Sequence, residues 1–301
     1  MIALRSIVAA TDLSAPARRA VERAAMLAQA ADASLTLLHV VNEAGLDELR
    51  RWLEQGVAAG QSLIDDVRKR TYDLATEIRL AYDIPVDNRT VAGPVVDEIV
   101  SVADEEQAGL VVTGTLGGGF LRNQVIGSTA ERVVRRLQRP VLMVRNATSD
   151  QYRRVLVPVD LSDWSAPSVE LAAAVAPDAY FVLVHAVRVP FESKLRLAGV
   201  QDKVIDDYRV RARNEALEGM HDLASRAGLR DGAWRAVAPD SNAPWIEVIR
   251  LAAEQQSALI VIGKHGRNAV QDLLLGSTTN RVIGGSFSDI LVTSRPVSRT
   301  Q

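Results

Sequence analysis

The sequence predicts an α/β protein made of two tandem, doubly wound domains, each with an open five-stranded parallel sheet and helices on both faces. Short apolar runs alternate with helix-like patterns in the same order twice along the 301 residues. Several of these runs are continuous rather than alternating, as expected for strands that are covered on both faces. One glycine pattern also occurs in both halves at the same spacing. Alternating strands and helices imply right-handed crossovers and therefore a parallel sheet.

The elements follow in order from these patterns. An apolar run over 4–10 ends at Thr11 and Asp12, and a stripe with helical spacing follows it. Pro94 suits the first turn of a later helix. In the first half, strands are predicted at 4–10, 35–41, 88–91, 110–113 and 140–145, with a long helical stretch over 46–81 and a helix at 128–137. The second half repeats the order, with strands at 154–159, 179–187, 234–237, 259–262 and 290–293.

The repeat also predicts the domain organisation. We place the domains at 1–147 and 152–296, because the segment between them is polar and lacks apolar periodicity. The closing strands, 141–144 and 290–293, would form apolar sheet edges, which proteins normally cover or pair. We therefore expect these two strands to face each other, as in a dimer built within one chain and related by a pseudo-two-fold axis.

Composition excludes several classes of function. The 35 basic and 37 acidic residues give a net charge of −2, too small a field to attract nucleic acid or an anionic membrane. The absence of cysteine excludes disulfides and thiolate chemistry. The first strand begins too early for a signal peptide, and no apolar stretch approaches the ~18 residues of a membrane-spanning helix. We expect a cytoplasmic protein with no membrane partner.

The glycine pattern carries the candidate chemistry. It follows the predicted fourth strand of each half, and nine residues separate its second and third glycines. Glycines let backbone amides approach phosphate oxygens, and the N-terminus of the next helix favours an anion. The pattern predicts a phosphate-binding loop in each half. Its members are Gly114, Gly117, Gly127, Ser128 and Thr129 in the first half, and Gly263, Gly266, Gly276, Ser277 and Thr278 in the second.

A helix cap is the alternative explanation for Ser128. Glu131 follows it by three residues, so the two could form a capping box. That alternative leaves the three spaced glycines unexplained. In the second half, Asn280 replaces the glutamate, which would leave Ser277 available to a ligand.

Both loops resemble those of the ATP-binding members of the universal stress protein family, in its tandem two-domain form. The resemblance covers both halves and implies a Rossmann-like fold that binds ATP, AMP or ADP, with Mg²⁺ carried by the nucleotide. It places Asp12 and Asp160 at the adenine and ribose end of the two sites, with Val40 and Ala186 lining the base. It also implies pairing of the domains within the chain and allows a homodimer of chains.

The aspartates have an alternative role too, because each could cap the helix that follows it. The two sites should also differ. Lys264, His265 and Arg267 place cationic donors in the second loop, and a histidine at the position of His265 is common in the family. We therefore expect the second half to bind a triphosphate more tightly.

Other candidate residues have structural explanations. His39 and His185 recur near the ends of the second strands, where hydrogen-bonded structural histidines are common, and no nucleophile motif accompanies them. The four histidines show no cluster for a metal. Trp234 and Trp245 have no counterpart in the first half, and packing is their expected role.

Three functions are compatible with this sequence. The first is a stress-response regulatory or signalling protein that binds an adenine nucleotide and communicates with an unidentified protein partner. The second is a slow ATPase, for which no positioned base can be named. The third is a scaffold that is independent of nucleotide. The sequence favours the first.

Overall fold

The computed structural model describes residues 4–42, 56–115, 127–147, 150–162, 165–266 and 275–294, without the side chains of 56–61 and 63. The first half contains β1 (Ser6–Ala10), α1 (Ala15–Ala31), β2 (Ser34–Val41), α2 (Gly56–Tyr82), β3 (Val86–Ala92), α3 (Val95–Glu105), β4 (Leu110–Gly114), α4 (Ser128–Arg136) and β5 (Val141–Val144). The second contains β6 (Arg154–Pro158), α5 (Ser165–Val175), β7 (Tyr180–Val184), α6 (Glu192–Leu197), α7 (Asp202–Arg226), β8 (Trp234–Val237), α8 (Pro244–Glu254), β9 (Leu259–Gly263), α9 (Ser277–Gly285) and β10 (Asp289–Thr293).

Two compact units make up the chain. One consists of Ile2–Gln151 together with Asp289–Gln301, and the other of Tyr152–Ser288. In the first unit the strand order is β3-β2-β1-β4-β5-β10. The strands β1 to β5 are parallel, whereas β10 pairs antiparallel with β5. The predicted pairing of the two closing strands is confirmed.

In the second unit the order β9-β6-β7-β8 repeats the arrangement of β4-β1-β2-β3, and all of its pairs are parallel. The predicted α/β class is confirmed. In the first unit, α1 contacts α2 and α3 contacts α4, as expected for one helix pair on each face of the sheet.

The core of each sheet explains why these segments form strands. The central strands are apolar and almost fully buried, since Ile7, Val8, Leu110 and Val111 have no exposed surface. Strands of this kind need helices on both faces, which the crossovers supply. The register of β1 aligns Ile7 with both Leu35 and Leu110, so the carboxyl ends of β1, β2 and β4 meet at one edge. In an open α/β sheet this edge holds the ligand crevice.

Some boundaries differ from the predicted ones. The helical stretch expected over 46–81 is described only from Gly56, as α2; residues 46–55 lie outside the described part. The strand expected to reach residue 187 ends at Val184, and Val187 keeps only an isolated bridge to Asp240. The short helix α6 has no buried residue, and therefore no apolar stripe predicts it. None of the described helices is long and apolar enough to cross a membrane.

Candidate functional site

A cavity of about 910 Å³ lies in the second unit, at the carboxyl ends of β6, β7 and β9. The residues after these strands converge there because the strands are parallel. Of the site residues that the sequence analysis named in this half, the lining includes Asp160, Ala186, Gly263, His265, Gly266, Gly276, Ser277 and Thr278. Arg267 lies outside the described residues.

The glycine loop is closed at its base by a backbone hydrogen bond. The amide of Gly276 donates to the carbonyl of Lys264 at 2.9 Å. A Cβ on Gly276 would lie 3.4 Å from that same carbonyl oxygen, so a side chain there would be in van der Waals contact with the closure. Thr279 Oγ1 donates to the carbonyl of Gly263 at 2.8 Å and fastens the first turn of α9 to the end of β9. These bonds hold the N-terminus of α9 at the cavity.

The helices after the glycine loops begin without a side-chain cap. Gly276 is the N-cap of α9 and Gly127 that of α4, which places Ser277 and Ser128 at the first helical position. The capping box considered for Ser128 is not formed, because Glu131 instead pairs with Arg135, with Oε1 and Nη2 2.7 Å apart. The first amides of a helix have no intrahelical acceptor, so these uncapped starts present N–H groups to a ligand.

Asp160 is fixed by the two serines that follow it. Its Oδ1 accepts from the amide of Ser162 at 3.0 Å, from Ser162 Oγ at 2.5 Å and from Ser165 Oγ at 3.0 Å. A Cβ on Gly266 would lie 3.4 Å from Asp160 Oδ2. Glycine therefore leaves space beside this carboxylate oxygen, at the edge of the cavity.

In the first half, Ser14 rather than Asp12 caps the helix. Ser14 Oγ accepts from the amide of Ala17 at 3.3 Å, and Asp12 Oδ1 accepts from the amide of Ser14 at 3.0 Å. The capping alternative for Asp12 is therefore wrong, because its neighbour has that role. Both aspartates instead form the same local turn with the serine two residues later.

The residue after each aspartate adopts a left-handed backbone conformation. Leu13 has φ 62° and Leu161 has φ 59°, a region that branched side chains rarely occupy. An ideal Cβ on Gly219 of α7 would lie 3.2 Å from both Cδ atoms of Leu161. The side chain of Leu161 thus lies over a glycine on α7. This conformation was not predicted from the sequence, although the Asp-Leu-Ser triplet recurs in both halves.

His185 belongs to the cavity wall, and its ring is oriented by the backbone. Its Nδ1 lies 2.9 Å from the carbonyl oxygen of Val159, so this nitrogen carries the proton and donates. The hydrogen bond predicted for this histidine is therefore made by its Nδ1 atom. In the first half, burial lowers the pKa of His39, and the polar backbone of Thr11 and the charge of Asp12 act in the opposite direction.

Among the lining residues that were not site candidates from sequence are one tryptophan and two arginines. Trp245 and Arg281 both line the cavity, and the guanidinium carbon of Arg281 lies 5.2 Å from the centre of the Trp245 ring. Arg188 lines it as well. Packing was the expected role of Trp245, and the only sequence signal for another role is that the first half has Val95 at the matching place after Pro94.

Comparison with known proteins assigns the family. The sequence model of the universal stress protein family matches residues 3–145 and again residues 151–294. The chain belongs to the universal stress protein family. It is 26% identical to a universal stress protein of Mycobacterium tuberculosis over 86% of each chain. A second universal stress protein of that species is 30% identical over 48% of this chain and 98% of its own length. A universal stress protein structure from Archaeoglobus fulgidus shares the fold, with a TM-score of 0.66 at 18% identity, over 97% of this chain and 98% of the other.

The first universal stress protein domain shows the same loop closure. The amide of Gly127 donates to the carbonyl of Thr115 at 2.6 Å, as Gly276 does to Lys264. Gly114 also has a packing reason, because a Cβ there would lie 3.2 Å from the carbonyl oxygen of Pro16. Asp12 follows β1, and the half-buried Val40 lies near the end of β2 at the same edge of the sheet. Thr129 lies in the first turn of α4. Gly117 lies outside the described residues.

Among the described residues, no group of three or more histidine or acidic side chains could hold a metal ion.

Proposed function

We propose that this universal stress protein binds an adenine nucleotide in each half and acts as a stress-response regulatory protein. The observation that supports it most directly is the cavity of about 910 Å³ in the second unit. Its lining contains Asp160, Ala186 and the loop glycines. Its volume lies within the roughly 300–1,000 Å³ of small-molecule sites.

The phosphates would occupy the end of the cavity formed by the glycine loop. Gly276 leaves room for backbone approach, and the first amides of α9 are donors beside the positive end of the helix dipole. Ser277 and Thr278 both line the cavity and would add hydroxyl donors. A triphosphate fits this donor set because it supplies only acceptors.

The nucleoside would lie toward β6 and β7. Ala186 offers apolar surface to the base, and Asp160 Oδ2 can accept from a ribose hydroxyl or an amino group. Among the described residues, the cavity lining holds one carboxylate, that of Asp160, and two guanidinium groups, those of Arg188 and Arg281. This balance favours an anionic ligand. Mg²⁺ would arrive with ATP and be held by phosphate oxygens and water.

A regulatory role agrees better with this lining than a catalytic one. Hydrolysis needs a positioned base or water. Asp160 is engaged through Oδ1 with two serines, and His185 donates through Nδ1 to the backbone. Nucleotide binding would instead place the phosphates against the start of α9, and so change the surface that a partner meets.

Calorimetric titration of the full chain with ATP, ADP, AMP and adenosine tests this proposal. We expect saturable binding of the nucleotides and tighter binding of ATP than of adenosine. Gly276→Val should abolish the binding event of the second half. Gly284→Ala is the matched control, because a Cβ at Gly284 in the same helix meets no atom within 4 Å. Wild-type chain that binds no adenine nucleotide would contradict the proposal, and product formation over hours at a steady rate would favour an ATPase.

A further inference from the structure

Arg281 is a cavity cation without an acidic partner among the described residues. It lies on α9, one turn after Ser277, and its side chain lines the same cavity. Other exposed arginines pair with carboxylates, as Arg250 does with Glu247 and Glu254. The described contact of Arg281 is with an aromatic ring instead. An exposed arginine in such a position has its charge available to a ligand.

Trp245 provides that aromatic ring. The guanidinium carbon lies 5.2 Å from the ring centre, within the range of a cation–π contact. Trp245 is half-buried in the first turn of α8, after Pro244, and α8 and α9 pack against each other. A long arginine side chain loses rotamer freedom when it binds a ligand, and this loss weakens binding. Contact with the ring restricts the side chain before any ligand arrives.

The first half lacks this pair. Arg132 holds the place on α4 that Arg281 holds on α9, but Val95 stands where the second half has Trp245. The difference does not belong to the glycine loops, which the two halves share. It therefore gives the second cavity a feature that the loop pattern does not predict.

We propose that Trp245 is a positioning residue that holds Arg281 toward the phosphate end of the cavity, and that this makes the second site selective for polyphosphate ligands. The proposal rests on the proposed phosphate-binding function of that cavity. Arg281 would contact the anion directly, at the N-terminal end of α9, whereas Trp245 would act through Arg281. The ligand class is a nucleotide with two or more phosphates.

Binding measurements on four variants of the full chain test it. Each carries Gly127→Val to remove phosphate binding by the loop of the first half. The further substitutions are Trp245→Val, Trp245→Phe, Arg281→Gln, and Trp245→Val combined with Arg281→Gln. The ligands are ATP, adenosine and inorganic tripolyphosphate. Trp234→Phe is the matched control, because Trp234 lies edge-on to His221 with ring centres 4.8 Å apart and is not a lining residue. Thermal melting confirms that each variant is folded.

We expect Trp245→Val to weaken ATP and tripolyphosphate by about two- to ten-fold and to leave adenosine unchanged. Trp245→Phe should restore most of the loss, and Trp245→Val should have no further effect once Arg281 is glutamine. An equal loss for adenosine, or a full effect in the Arg281→Gln background, would overturn the positioning role.

The two proposals fail in different ways. If ATP binds and Trp245→Val leaves its affinity unchanged, the inference is wrong and nucleotide binding stands. If tripolyphosphate binds in a Trp245-dependent way but adenosine contributes nothing to ATP affinity, the adenine assignment is wrong and the inference stands. If neither anion binds the parent chain, both are wrong. The same series in the chain with Gly127 intact provides the comparison if Gly127→Val lowers stability.

Discussion

At the scale of single residues, the leucines that follow Asp12 and Asp160 both adopt a left-handed backbone conformation. A non-glycine residue in this conformation costs on the order of 1–3 kcal/mol and persists where its surroundings impose it. For Leu161 the surroundings include α7, where Gly219 leaves room for its side chain. Helical periodicity could not reveal this, because it scores Gly219 only as a weak helix former.

Alanine substitutions of two helical glycines test whether Gly219 provides the space for Leu161. Glycine to alanine in an exposed helix typically stabilises by about 0.5–1 kcal/mol. We expect a gain of that size for Gly284→Ala, whose Cβ meets open space. Gly219→Ala should gain less or destabilise, because its Cβ would lie 3.2 Å from two atoms of Leu161. Urea unfolding measures the free energy of unfolding of both variants. Equal gains at the two positions would contradict a role of Gly219 in accommodating Leu161.

His39 should make stability depend on pH. Burial lowers its pKa in the folded chain below the reference value of 6.5. Below that value the unfolded chain binds more protons than the folded chain, so stability falls as the pH drops from about 6.5 through the folded pKa. The free energy of unfolding of wild type and His39→Gln, measured from pH 8 to 5, checks this. The stability of wild type relative to His39→Gln should fall on acidification; a difference that stays constant with pH contradicts it.

At the scale of elements, the sequence predicted the strands and their order well because buried parallel strands are continuous apolar runs. Leu110–Gly114, for example, is buried along its whole length. It also predicted that β10 would pair with β5. It could not predict what fixes the start of β10, because the buried charge that does so, Asp289, looks in the sequence like an ordinary polar residue before a strand.

Asp289 is 1% exposed and joins the start of β10 to the end of β5. Its Oδ1 accepts from the amides of Arg145 and Asn146 at 2.8 and 3.1 Å, and its Oδ2 lies 4.0 Å from Arg23 Nε. Arg23 is itself only 5% exposed. Removing one partner from such a buried group leaves the remaining charge uncompensated.

Asp289→Asn should therefore destabilise the first unit by about 3–5 kcal/mol in urea unfolding. Asp178→Asn is the control, since Asp178 and Arg230 form a surface pair with side chains 76% and 68% exposed, and it should cost under about 1 kcal/mol. Similar costs for the two substitutions would show that the Asp289 cluster has no special role.

At the scale of the whole molecule, the duplicated pattern was enough to predict the family, the tandem organisation and the α/β class. The loop glycines of the second half were predicted from their spacing, and Asp160 and Ala186 from the resemblance to the family. They line one cavity because parallel strands bring their carboxyl ends to one edge. The Trp245 and Arg281 pair was not, because it joins two helices that are distant in sequence and has no equivalent in the first half. Side-chain contacts of this kind depend on packing, which spacing does not encode.

The central claim is that the second cavity binds the phosphates of an adenine nucleotide on the amides at the start of α9. A crystal structure of the full chain grown with excess MgATP tests it most directly. We expect electron density for the phosphates within hydrogen-bond distance of the amides of Ser277 and Thr278, and for the base beside Ala186. A cavity without nucleotide density at saturating MgATP, or a nucleotide bound elsewhere on the chain, would contradict it.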